Sequence, residues 1–169
     1  PQDRGWKIEK LRLANTDGVL TADGLWQGWL TEPRTQMNVR MDVTDVGKTL
    51  TRWGYPAGVR RGTAKIEGQL SWAGNPQDFD YPTLGGKLSV EAANGQFVKL
   101  EPGIAKLLGI LSLQALPRRI TLDFRDVFSE GFSFDSIVGS VKIDQGIAAA
   151  ENFRLQGPSA RVTMAGEVD

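Results

Sequence analysis

Four carboxylates crowd the stretch LDFRDVFSEGFSFDS (122–136): Asp123, Asp126, Glu130 and Asp135. Two carboxylates flanking a bond could act as acid and base in glycoside hydrolysis, and several together could hold calcium. The spacing fits no EF-hand loop, and alternation places Asp123 on the water-facing side of a strand. Arg119 and Arg125 stand close by as ion-pair partners. Solvated carboxylates and local ion pairs are the better reading. A carbohydrate hydrolase using Asp123 and Asp126 is the weakest function considered.

Other catalytic chemistry has fewer candidates still. The 169 residues contain no cysteine and no histidine. Thiolate and imidazole zinc sites are therefore excluded, as are Cys–His and Ser–His–Asp catalysis. No serine sits in a G-x-S-x-G context, and LGGK (84–87) lacks P-loop spacing. No cofactor is expected, and the chain is not read as an enzyme. Twenty basic and 20 acidic residues cancel, so nothing electrostatic points to nucleic acid. The pairs Arg60–Arg61 and Arg118–Arg119 are read as solvated surface. The absence of cysteine suits an oxidising compartment.

The elements that position these residues are mainly strands. MNVRMDV puts Met37, Val39, Met41 and Val43 on one face, and Asn38, Arg40 and Asp42 on the other. The same alternation sets Ile66 and Leu70 apart from Lys65, Glu67 and Gln69, and Leu88 and Val90 apart from Ser89 and Glu91. It recurs in Ile120, Leu122 and Phe124, in Val141 and Ile143, and in Val162 and Met164. Period two with one dry face means antiparallel sheet. NTDG (15–18), AANG (92–95) and DQG (144–146) carry turn chemistry. About nine or ten strands are expected, with WAGNPQDFDYP (72–82) the longest irregular stretch. The five tryptophans (Trp6, Trp26, Trp29, Trp53 and Trp72) suit core and sheet-edge packing, or contact with acyl chains and a membrane interface.

Two segments break the alternation. DVGKTLTRWG predicts a short helix over about 45–54, with Val46, Leu50 and Trp53 on one face. PGIAKLLGILSLQALP predicts an apolar helix over about 103–116. Ile104, Leu107, Leu108 and Leu111 follow the i, i+3, i+4, i+7 pattern, and Lys106 is its single charge. Roughly 14 residues span about 20 Å, whereas a bilayer core needs about 30 Å. The segment either seals the dry face of the sheet or dips into a lipid interface; interfacial helices carry a strongly charged face, which this one lacks, so packing on the sheet is favoured. That dry face has three ways to be covered: a second sheet, closure into a barrel, or a ligand in a trough. Periodicity leaves all three open.

The GIAKLLGILSLQALPRR and LDFRDVFSEGF segments, with KIEKLRLANTDGVLTADGLWQG and AKIEGQLSWAG before them, closely resemble the C-terminal region of YhdP-type members of the AsmA-like family. The resemblance covers nearly the whole chain. It implies a Gram-negative cell-envelope protein that carries phospholipid between membranes along a periplasmic β-groove. It also implies an inner-membrane anchor in a missing N-terminal part, and an outer membrane or outer-membrane partner at the far end. The chain is then expected to be a single domain, 1–169, cut from the C-terminus of a longer protein. Its expected fold is a curved antiparallel sheet forming an open groove or partly closed barrel. The expected lining is Met37, Val39, Met41, Ile66, Leu70, Leu88, Val90, Ile120, Leu122, Phe124, Val141, Ile143, Val162 and Met164. The expected plug is Ile104, Leu107, Leu108 and Leu111. The alternative function is a protein-interaction module that docks a partner by strand addition or through the apolar helix.

Overall fold

Alternating side chains need a partner strand on each side and cover on one face only. The computed structural model of the chain satisfies the first need with one sheet. It describes residues 5–28, 32–54, 58–98, 131–158 and 161–168. Eight strands follow one another: β1 (Trp6–Ala14), β2 (Gly18–Gln27), β3 (Arg34–Val43), β4 (Val59–Ala73), β5 (Gly85–Phe97), β6 (Phe132–Asp144), β7 (Ile147–Gln156) and β8 (Arg161–Val168). Each pairs antiparallel with its neighbours in chain order, from β1 at one edge to β8 at the other. The sheet is open. The expectation of partial barrel closure is therefore corrected: β1 and β8 do not pair with each other. Eight strands lie among the described residues, against the nine or ten expected.

Local chemistry explains the short connections. The Asn15 side-chain oxygen accepts from the backbone N–H groups of Asp17 and Gly18 at 2.8 and 2.9 Å, folding the β1–β2 link into an Asx turn. Gln145 and Gly146 have φ of 50° and 79°, the left-handed pair that a tight two-residue hairpin needs. AANG is not a turn, contrary to expectation. It lies inside β5, where Asn94 adopts φ 54° without ending the strand.

That left-handed residue has a structural consequence. Arg61 and Gly62, on the neighbouring strand, also have positive φ, 57° and 85°. At this level the apolar parity changes in three adjacent strands. Ala64, Ala92 and Ile137 lie on one register row. Beyond it, Val59, Phe97, Phe132 and Phe134 carry the opposite parity yet join the same apolar cluster, with Leu155. A second cluster, of Ala22, Met37, Trp72 and Leu84, sits toward the other strand ends. There the Trp72 indole donates to the Asn75 carbonyl, and Phe79 packs on Trp72 with ring centres 4.8 Å apart.

Among the described residues one α-helix, α1 (Val46–Arg52), crosses from β3 to β4. Asp45 caps it, its carboxylate accepting from the Lys48 N–H at 2.9 Å. The buried residues of α1 are Gly47 and Thr49, not the expected Val46–Leu50–Trp53 face; Trp53 is exposed. Gly47 explains the difference, because a Cβ there would stand 2.7 Å from the Val59 carbonyl. The helix thus lies directly on the β4 backbone. The expected helix at about 103–116 falls outside the described residues.

Candidate functional site

Directly opposed residues in an antiparallel sheet share a face, so the register shows what each face offers. One row runs Leu13, Leu20, Met41, Ile66, Val90 and Gly139 across β1 to β6. The next runs Leu11, Ala22, Val39, Gly68, Leu88, Val141 and Ala150. A third runs Ile8, Gly24, Met37, Leu70, Gly86, Ile143 and Ala148. None of the three contains an ionisable residue. They run perpendicular to the strands and form one apolar face.

The structure therefore brings together Met37, Val39, Met41, Ile66, Leu70, Leu88, Val90, Val141 and Ile143 of the expected lining. Met37 is buried, and the other eight are half-buried. Val162 and Met164 pair by backbone register with Leu155 and Phe153. Ile120, Leu122 and Phe124, and the expected plug residues Ile104, Leu107, Leu108 and Leu111, lie outside the described residues. So do Asp123, Asp126, Glu130 and Trp29; Asp135 is exposed on β6.

Sequence reasoning missed part of this face. Ile8 and Leu11 both lie on it because a bulge between them shifts the β1 register by one. Ala150 and Phe153 do the same across a second bulge at Asn152, whose φ is 53°. The Phe153 ring fills the place a side chain would occupy at Gly139, with a built Cβ only 2.5 Å from the ring.

The opposite face is polar and linked across strands. Asn38 donates to Asp23 at 2.9 Å and accepts from Gln69 at 3.1 Å. Arg40 pairs with Glu67 at 3.0 Å, Lys65 with Glu67 at 3.2 Å and Lys87 with Glu151 at 3.2 Å. Exposed pairs of this kind contribute about 0–1 kcal/mol each. Their effect is to fix which face meets water.

Among the described residues, the apolar face is only partly covered. Among the described residues no second sheet faces it. At the β1 edge Trp6 is 66% exposed and Leu13 56%. Leaving a Val, Leu or Ile in water forfeits about 1.5–3 kcal/mol relative to burial.

Among the described residues the chain forms a one-layer antiparallel sheet, with ion pairs on one face and rows free of ionisable residues on the other. The family model described as "YhdP protein" matches residues 1–169, and the chain belongs to that family. It is 30% identical over 151 residues to the "Intermembrane phospholipid transporter YhdP" of Escherichia coli (strain K12). That alignment covers 89% of this chain and 12% of the relative's length. No solved structure matches the chain.

Proposed function

We propose that this chain is a segment of a phospholipid conduit in the cell envelope, with the apolar face of the sheet as the floor of an open groove. One observation carries the reading: three rows of side chains cross the sheet from β1 to β6 without an ionisable group. Acyl chains lying along these rows leave water, while headgroups stay hydrated at the rims. The relative's printed role as an intermembrane phospholipid transporter supports the same assignment. In this reading the protein works in the periplasm, with an inner-membrane anchor in the full-length protein and the outer membrane or a partner there as the recipient. Transport is non-enzymatic and follows an external gradient.

Photo-crosslinking amino acids test the floor. At Met41, Leu70 and Val90 they are expected to capture phospholipid in cells; at Asn38, Lys65 and Glu91, on the polar face, they are not. Equal capture from both faces would sink the assignment. Capture of a protein through β1 or β8 alone would favour the strand-addition module instead, since both strands are unpaired sheet edges.

A further inference from the structure

The two sets of strand ends differ in charge. One gathers the β1–β2 turn, α1 and the facing ends of β4 and β5. It holds a cleft of about 860 Å3 whose lining includes Asp17, Asp45, Lys48, Arg52, Arg60 and Arg61. The opposite set carries Glu32, Asp78, Asp80 and Asp144 against Arg34. Within the cleft, Arg52 is matched to Asp17 at 2.5 Å and Lys48 to Asp45 at 3.7 Å. Arg60 and Arg61 have no carboxylate partner among the described residues. Among the described residues, two positive charges thus stand in this open cleft without an ion-pair partner. Val59 lines the same cleft and also belongs to the apolar cluster around Phe132 and Phe134, so the charges adjoin the dry face.

Arg61 adds an independent signal. Its φ of 57° is a left-handed conformation that asparagine and glycine adopt at low cost and bulky residues do not. The parity change explains why the position is left-handed. On β5 the same need is met by Asn94. It does not explain an arginine. Strained backbone positions cluster at ligand sites, and here the strained residue carries one of the two charges in the cleft.

We propose that this cleft binds the phosphodiester of a phospholipid whose acyl chains lie on the apolar face. Arg60 and Arg61 supply the planar, multidentate donors that suit phosphate oxygens. The inference rests on the conduit reading and assigns the headgroup to one rim of it.

The test compares the full chain with the double variant Arg60→Gln/Arg61→Asn by titration calorimetry. The probes are dihexanoylphosphatidylglycerol, neutral dihexanoylglycerol and inorganic phosphate. The variant is expected to bind the phospholipid at least about tenfold more weakly and the neutral lipid unchanged. Its melting temperature should be equal or higher, because asparagine relieves the strain at position 61. Equal phospholipid affinity in both proteins overturns the cleft assignment. Inorganic phosphate binding as tightly as the phospholipid overturns the headgroup assignment in favour of a free-anion site. Failure of the unmodified chain to bind the neutral lipid, with arginine-dependent phospholipid binding retained, counts against the apolar floor and leaves the cleft standing.

Discussion

Phe134 illustrates how a single side chain can hold a one-layer sheet together. It is 3% exposed, lies over Gly95 on the neighbouring strand, and packs against Phe97 with ring centres 5.1 Å apart. Glycine at position 95 is what admits the ring. Phe134→Ala is expected to destabilise the chain by about 3–5 kcal/mol, the usual loss for a buried aromatic. Gly95→Ala forces the ring off its seat and is expected to cost about 1–3 kcal/mol. Urea unfolding followed by tryptophan fluorescence reads both. Wild-type stability in Gly95→Ala would mean that the ring does not rest there. This cluster was hidden in the sequence. Strict alternation puts Phe132 and Phe134 on the opposite side from Ile137, and only the kink at Gly62 and Asn94 reunites them. By contrast, MNVRMDV reads directly onto β3, because no bulge interrupts it.

Among the elements, α1 has the least support of its own. Seven residues form too short a helix to be stable alone, so it depends on its cap, on Gly47 and on the tie to the β1–β2 turn. Asp45→Ala removes the cap and is expected to cost about 1 kcal/mol. Gly47→Ala is expected to cost more, despite alanine's higher helix propensity. The added carbon meets the β4 backbone, so the helix must lift. Thermal melts of the two variants check the order; a stabilised Gly47→Ala would refute the close packing. The existence of this helix was legible from the spacing of Val46, Leu50 and Trp53 and from the terminal Gly54. Its buried face was not, because an apolar-face rule selects Val46, Leu50 and Trp53, whereas close backbone approach selects glycine. The same limit applies to AANG. Its residues carry turn chemistry, but a left-handed asparagine can also kink a continuing strand.

At the scale of the whole molecule, an open sheet has a middle and two ends. Central strands have partners on both sides, while β1 and β8 have one each. Amide protection should therefore be greatest in β3 to β5 and fall toward β1, where every residue except Ile8 is exposed. Hydrogen–deuterium exchange read by mass spectrometry checks this gradient. Uniform protection would show that a second chain covers the edges.

The direction of the apolar rows has a geometric consequence. They run across the strands, so the distance they cover depends on how many strands there are and not on how long each one is. From β1 to β7 they cross six spacings of about 4.8 Å, a span of roughly 29 Å. Adding or deleting one hairpin changes the reach by about 10 Å and leaves the cross-section untouched. The length of such an apolar face is graduated in hairpins, and their number alone sets it.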